Sequence, residues 1–273
     1  RYPILTVACG PTNSIRGASY LSRIQNAIVI DVGGTTTDLG VIQNGFPRES
    51  SVAVTIGGVR TNFRMPDVVS IGLGGGSIVR QREDGTVTVG PDSVGYQITE
   101  KALCFGGDVC TATDIAVRLG MAELGDKKRV AYLDESFARK ALAAIRTLCE
   151  DAIDAMKVSS DDVDVILVGG GAIILPQDLA GAKSVTQHAF GGVANAIGSA
   201  ISKVSGTYEQ LIDYDKTPRD EALARARADA VELAVAAGAI RETVEIIDAE
   251  DVPLQYYPGN TARVKIKAAG DLA

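Results

Sequence analysis

The chain has 273 residues and a formal net charge of −7. That balance argues against a nucleic-acid-binding surface, and it requires any bound nucleotide to be offset locally by loop dipoles and a cation. Hydrophobic residues make up 46% and charged residues 22%, as in a soluble globular protein of one large or two small domains, and no apolar run approaches the ~20 residues of a membrane helix.

No signal-peptide pattern opens the chain. It starts Arg1-Tyr-Pro without Met, which reads as a fragment or a processed chain. Thr12, Asn13 and Ser14 are N-cap candidates for a helix through Leu21. Ala27 to Ile30 plus Val32 then read as a buried strand interrupted only by Asp31. Gly33 and Gly34 allow a tight turn and a close approach to a ligand. Thr35, Thr36 and Thr37 follow, then Asp38, a second short strand and the hairpin signal Asn44-Gly45. This strand, glycine loop and strand offer N–H groups and hydroxyls to phosphate oxygens. A carboxylate at each end can hold Mg²⁺ directly or through water. A buried, unpaired charge is costly, so Asp31 needs a partner such as a metal-bound water. The alternative is a tight hairpin whose acids cap turns. No G-x-x-x-x-G-K-[ST] occurs.

Ser50 to Ile56 read as a third strand and residues 57–66 as a loop. Residues 66–90 read as a small β insertion, with a hairpin signal at Asp84-Gly85. Three adjacent glycines, Gly74, Gly75 and Gly76, lower strand propensity and need a reason. The reason is either close backbone approach to substrate or phosphate, together with Ser77, or a bulge at a sheet edge. Thr111-Ala-Thr113-Asp114 opens a helix to Leu119. Capping is the preferred role of Thr111 or Thr113, and Asp108 and Asp114 are candidate cation or substrate contacts. A long helix runs from Phe137 to Met156, with Ala141, Leu142, Ile145, Leu148, Ala152 and Ile153 on its core face. Asp164 to Val168 is a buried strand ending in Gly169, Gly170 and Gly171. These three are either a plain strand-to-loop turn or a bare surface for a base and ribose. Val185 to His188 read as the next strand, and residues 191–201 as a helix of small residues suited to close packing. An Ala-rich helix over 218–240 and two half-exposed strands at 244–247 and 263–267 complete the chain.

The cysteines Cys9, Cys104, Cys110 and Cys149 lack C-x-x-C spacing, and there is one His. A zinc site is therefore not expected, and the thiols read as small buried groups in a reducing cytoplasm. His188 reads as a structural or surface residue. A second His is absent, which weakens any Ser-His or Cys-His hydrolase reading.

D-x-G-G-T-x-x-D between two strands resembles the phosphate motif of the actin, heat-shock chaperone and sugar-kinase superfamily. The wider pattern resembles the hydantoinase/oxoprolinase family, A-type subunit. It is carried by Cys9-Gly-Pro-Thr-Asn-Ser-Ile-Arg-Gly17, Ile30-Asp-Val-Gly-Gly-Thr-Thr-Thr-Asp38, Gly45-Phe-Pro-Arg48, Ser70-Ile-Gly-Leu-Gly-Gly-Gly-Ser77 and Val168-Gly-Gly-Gly171. The resemblance implies an α/β fold: a ribonuclease-H-like, actin-like ATPase mixed sheet flanked by helices, with a small β insertion. It divides the chain into an ATPase lobe over 1–210, with the insertion at about 57–110, and a helix-plus-two-strand extension over 211–273 packed on it.

The resemblance also implies ATP and Mg²⁺ as cofactors. Asp31 and Asp38 become the candidate catalytic and metal-binding residues. Gly33, Gly34 and Thr35 to Thr37 would cradle phosphates, Gly74 to Ser77 would join the site, and Gly169 to Gly171 would border adenosine. The implied activity is phosphorylation of a cyclic amide, hydantoin or 5-oxoproline-like, or of a related carbonyl. A B-type partner subunit or a missing amino-terminal lobe would complete the site, with no nucleic-acid or membrane partner. The rival readings are a non-catalytic nucleotide-binding regulatory or assembly module and a small-molecule kinase of the same superfamily.

Overall fold

The computed structural model describes residues 9–50, 55–56, 58–60, 65–255, 257 and 259–273. The chain divides into two compact units, Arg1–Ile201 and Ser202–Ala273.

The first unit begins with helix α1, Cys9–Ser22. Thr12, Asn13 and Ser14 therefore lie inside the helix rather than at its cap. Strand β1, Ala27–Val32, is buried along its length except at Asp31, which is half-buried. It pairs antiparallel with β2, Thr37–Gln43. Asn44 and Gly45 both take positive φ, 52° and 79°, as a two-residue hairpin turn requires, and the chain returns as the short β3, Phe46–Pro47. The expected third strand over 50–56 lies mostly outside the described residues. Among the described residues its end, β4 (Thr55–Ile56), pairs with β5 (Val59–Arg60). The place beside the inner half of β2 belongs instead to β6, Val68–Ile71. Those residues had been grouped with the β insertion. The separate hairpin of β7 (Ser77–Gln81) and β8 (Val87–Ser93) forms a two-stranded sheet of its own.

A short helix α2, Ile98–Lys101, precedes α3, Ala112–Arg118, and α4, Glu135–Met156. Asp134 caps α4 by accepting the Phe137 N–H at 3.0 Å. Ala138, Ala141, Ile145, Cys149, Ala152, Ile153 and Met156 form its buried stripe. Leu148, expected on that face, is exposed, and Cys149 takes the core position. Strands β9 (Val163–Val168) and β10 (Ala182–Gln187) then join β1 in parallel, giving the order β10-β9-β1-β2-β3 with β6 also on β2. The last helix of this unit, α5, spans Ala194–Ala200.

Two cores follow from the period-2 alternation of the strands. Ile28, Ile30, Leu39, Val165 and Leu167 pack with α4 on one face of the sheet. Ala27, Val29, Ile42, Ile166 and Val168 pack with Ile15, Ala18 and Ala194 on the other. Each fully buried Ile or Leu contributes about 1.5–3 kcal/mol. Helices α1 and α5 meet backbone to backbone: a methyl at Gly17 would collide with the Ala194 carbonyl, and one at Gly198 with that of Asn13. The small residues of 191–201 thus allow the close packing expected of them.

The second unit is a three-stranded antiparallel sheet, β11 (Val204–Asp213), β13 (Thr261–Gly270) and β12 (Glu245–Pro253) in that order, with helix α6, Arg219–Ala236. Ala226, Ala230 and Ala234 pack on Val264, Ile266 and Ala268. Gly238, at φ 109°, ends the helix. Its N–H reaches the Val235 carbonyl at 3.0 Å and that of Ala239 reaches Ala234 at 3.0 Å, the paired bonds of a Schellman stop. Two strands were expected here; β11 is the third.

Candidate functional site

The site grows from one row of residues across the sheet. Asp31 is opposite Asp38 in the β1–β2 register, Asp38 is opposite Ser70 in β2–β6, and Asp31 is level with Val168 on β9. Directly opposed residues of an antiparallel pair share a face, so both carboxylates and the Ser70 hydroxyl point the same way. Ser70 donates to Oδ1 of Asp38. Asp31 lies on the α1 side, near buried Ser14. Burial raises the Asp31 pKa above the ordinary carboxylate value, the nearby Ser14 hydroxyl lowers it, and the Asp38 charge raises it again.

The loop between these carboxylates is closed by the Gly33 N–H on the Thr36 carbonyl at 2.9 Å. Gly34, Thr35 and Thr36 are exposed and Gly33 is half-buried. Thr37 is buried, its hydroxyl spent on the Leu73 carbonyl at 2.7 Å. It is a strand anchor rather than part of the open loop.

All three glycine clusters meet at this loop. Gly74, Gly75, Gly76 and Ser77 are buried. Gly75 N–H donates to Gly33 O at 3.0 Å and Gly76 N–H to Gly34 O at 2.7 Å. A methyl on Gly74 would stand 2.6 Å from the Gly34 carbon and the Thr35 nitrogen. The Ser77 hydroxyl accepts from Gly74 N–H at 2.8 Å. Of the two reasons considered for the Gly74–Gly76 run, the geometry is that of close backbone approach, and what it approaches is the Gly33–Thr35 backbone. On the other side, Gly169 has φ 85°, and a side chain there would strike the Val32 carbonyl and the Asp31 carboxylate. Gly171 is buried against Val32 and Gly33. Gly170 is exposed, and nothing lies within 4 Å of where its Cβ would be; the same openness holds at Gly34.

The candidates thus fall into two groups. Asp31, Gly33, Asp38 and Gly169 are half-buried, and Gly34, Thr35, Thr36 and Gly170 are exposed, all around the carboxyl ends of β1 and β9. That is where open α/β sheets bind ligands. Thr37, Gly74, Gly75, Gly76, Ser77 and Gly171 support them from behind. Ser70, which touches the Asp38 carboxylate, and Ser14, near Asp31, went unassigned in the sequence, although both lie inside the quoted motifs.

Asp114 is not available for a cation or substrate. It is fully buried and accepts from the Leu103 N–H at 3.2 Å, the Cys104 N–H at 2.7 Å, and the N–H and hydroxyl of Thr111 at 2.8 Å each. With Thr111 it forms a capping box on α3. Thr113 instead donates to the Gly75 carbonyl at 2.9 Å, tying α3 to the glycine run. Asp108 is exposed. Among the described residues no group of three or more His, Cys, Asp or Glu side chains could hold a metal; the two carboxylates stand as a pair. His188 Nδ1 accepts the Phe190 N–H at 3.1 Å, a turn-forming contact. Cys104 and Cys149 are buried, but Cys9 is exposed, against the reading of uniformly buried thiols. Burial pushes the thiols of Cys104, Cys110 and Cys149 up to about 12. No helix among the described residues is long and apolar enough to cross a membrane.

A β10-β9-β1-β2-β6 sheet flanked by helices, with a glycine hairpin between two carboxylates, has the ribonuclease-H-like, actin-like ATPase fold. The chain belongs to the hydantoinase/oxoprolinase family, whose family model matches residues 1–156. It is 32% identical over 115 residues to the acetophenone carboxylase gamma subunit of Aromatoleum aromaticum, covering 41% of this chain and 16% of that protein. It is 27% identical over 168 residues to an uncharacterised protein of Methanocaldococcus jannaschii, covering 56% and 24%. Among solved structures, the ATP-dependent caprolactamase of Pseudomonas jessenii matches 95% of the chain at TM-score 0.69 and 18% identity. A nucleotide-free acetone carboxylase matches 96% at 0.62 and 17%. At such identities the likeness is one of fold. The chain spans 49% of each of these two solved chains and a smaller share of the curated relatives.

Proposed function

We propose that this chain is the nucleotide-binding lobe of an ATP-dependent enzyme of the hydantoinase/oxoprolinase type. It would activate a cyclic amide, hydantoin or 5-oxoproline-like, or a related carbonyl, for ring opening. The observation that supports this reading is the meeting of exposed, unobstructed glycines with a pair of like-charged carboxylates. Gly34 and Gly170 leave open space where a side chain would stand, and Asp31 and Asp38 share one sheet face. Such a cradle fits a phosphate chain and an oxygen-ligated Mg²⁺, which takes one or two carboxylates and keeps much of its water.

In this reading Gly34, Thr35 and Thr36 donate N–H groups, and the two threonines their hydroxyls, to phosphate oxygens, while Gly33 closes the loop through its bond to the Thr36 carbonyl. Asp31 and Asp38 hold Mg²⁺, and Gly169 and Gly170 border the adenosine. Bound Mg·ATP would supply the phosphoryl group that makes a resonance-stabilised amide oxygen a good leaving group. The chain's own residues position and neutralise charge, which is most of what phosphoryl-transfer catalysis asks of a protein. Two relatives, an ATP-dependent caprolactamase and a carboxylase gamma subunit, support ATP use and an assembly with further chains. A B-type subunit or an additional lobe would bring the substrate and close over the phosphates.

Calorimetry with ADP and ATP, with and without Mg²⁺, tests the reading. Weak binding that strengthens with Mg²⁺ is expected. Nucleotide affinity indifferent to Mg²⁺ and to Asp31→Asn would place any nucleotide elsewhere and refute it.

A further inference from the structure

Resting on the nucleotide reading of the site, we propose that Phe190 is its base-stacking residue, and that the turn over 188–193 forms its nucleoside end. The parallel strands β1, β9 and β10 bring their carboxyl ends to one edge of the sheet. The phosphate-type loop follows β1, Gly169 and Gly170 follow β9, and the 188–193 turn follows β10. Neighbouring strands lie about 4.8 Å apart, so the three segments span about 10 Å in a row. A nucleotide stretched along that row, with its phosphates on the loop and its ribose over Gly170, carries its base to the last turn.

That turn is joined directly to the glycines. The Gly169 N–H donates to the Gly191 carbonyl at 3.0 Å, and the turns over 170–174 and 191–193 pack together. Gly191 is buried on the end of β9: its Cβ would stand 3.4 Å from the Leu167 oxygen and 3.6 Å from the Val168 Cα. Gly192 is exposed, with nothing within 4 Å of its Cβ position, the same openness as at Gly170. Two apolar side chains flank this glycine pair in solvent, Phe190 at 63% exposure and Val193 at 52%.

The backbone beneath the exposed ring is held on three bonds. Phe190 N–H donates to His188 Nδ1 at 3.1 Å, Gly191 N–H to the His188 carbonyl at 2.8 Å, and Val193 N–H to the Phe190 carbonyl at 3.1 Å. The His188 ring lies 5.7 Å from the Phe190 ring, centroid to centroid, at a tilt of 38°. It backs one side of the phenyl ring and leaves most of it to water. An aromatic ring mounted in this way is a platform for a flat π-system, with little freedom left to lose when one binds. Stacking engages any base through its π-face, so Phe190 holds the base of a purine nucleotide without selecting adenine.

The sequence has no tryptophan, which makes Phe190→Trp a local reporter. Calorimetric titrations with ADP and with inorganic diphosphate, both with Mg²⁺, compare wild type, Phe190→Ala and Phe190→Trp, with thermal melting alongside. Phe190→Ala is expected to lose about 5- to 100-fold in ADP affinity, the usual range for one base on one aromatic ring. Its diphosphate affinity and melting temperature should change little. Phe190→Trp is expected to keep ADP affinity, with an indole fluorescence that responds to ADP and not to diphosphate. Intact ADP affinity in Phe190→Ala, equal losses for ADP and diphosphate, or an indole signal blind to ADP would each overturn the proposal. Wild type that binds neither ligand would remove the nucleotide reading and this inference together, an outcome distinct from failure at Phe190 alone.

Discussion

Two glycines of the site, Gly34 and Gly74, look alike in the sequence and should behave oppositely when changed to alanine. A methyl at Gly74 would sit 2.6 Å from the Gly34 carbon and the Thr35 nitrogen and 2.8 Å from the Gly33 oxygen. All three are backbone atoms, and the shortfall from ordinary carbon contact is about 1 Å. Relief requires the two glycine runs to separate, which strains or breaks the Gly75–Gly33 and Gly76–Gly34 bonds of 3.0 and 2.7 Å. Overpacking of this kind costs about 1–3 kcal/mol, and each lost bond adds about 0.5–1.5 kcal/mol. Gly74→Ala should therefore lose roughly 2–6 kcal/mol, a fall of about 4–24 °C in melting temperature for a unit of this size.

At Gly34 nothing lies within 4 Å of the added methyl, and the residue is exposed. Its effect on stability should stay within about 0.5 kcal/mol. If phosphate approaches that surface, the same methyl should cost about tenfold or more in nucleotide affinity, the equivalent of one hydrogen bond to a charged group. Thermal melts and calorimetry on both variants measure the two effects. Equal melting temperatures for the two, or full nucleotide affinity in Gly34→Ala, would refute the division into supporting and ligand-facing glycines.

Asp31→Asn should leave the nucleotide-free protein in EDTA as stable as wild type or more so at pH 7, while weakening Mg²⁺-dependent binding. The folded state holds the Asp31 proton more tightly than the unfolded chain, through burial and the Asp38 charge. That contribution to stability is complete below the unfolded carboxylate pKa and is lost as pH rises through the higher folded value. Acidification should therefore narrow the difference between mutant and wild type; a difference that widens on acidification would reverse the sign of the argument. Asp114→Ala should destabilise by about 3–5 kcal/mol, because its buried donors lose their common acceptor. Its Mg²⁺ dependence should be unchanged per folded molecule, and a selective loss of that dependence would return Asp114 to the site. The isolated chain should release little phosphate from ATP with a panel of lactams, hydantoins and ketones. A longer assembly carrying the partner chains should show substrate-stimulated release, and equal turnover by both would sink the split-site idea.

The hairpin at Asn44-Gly45, the carboxylate inside β1 and the long α4 were legible because each is a local pattern with a local cause. The place of 68–71 was not: grouped with the β insertion, this segment is put into the main sheet by pairing with β2, a long-range contact that no local propensity encodes. Strand β11 escaped because Ser205, Gly206 and Thr207 dilute its apolar alternation, although Gly206 is what lets α6 lie close to the sheet. Ser14 was hidden for a different reason. Thr12-Asn13-Ser14 has the composition of a helix start, and only the position of α1 against β1 brings the serine near Asp31. Gly74, Gly75 and Gly76 announced a close approach, but a bare backbone does not say whether a phosphate or another backbone comes near.

The pairing of Asp31 with Asp38 is the place where the fold departs from what stability alone would select. Like charges directly opposite on a sheet face are destabilising, and a Thr or a Lys at either position would remove the conflict. The cross-strand neighbour Ser70 offers its hydroxyl to Asp38 and Ser14 of α1 lies near Asp31, and neither acid enters an ion pair among the described residues. Hydroxyls orient a carboxylate without neutralising it. Everything around the pair, from the zipped glycine runs to Gly169 against Asp31, holds the two charges in register rather than letting them part. Local conflict kept in place by surrounding structure is the usual mark of a functional site. The group that would relieve it is small, doubly positive and oxygen-seeking, which is why Mg²⁺ and the loop's exposed N–H groups belong in one proposal.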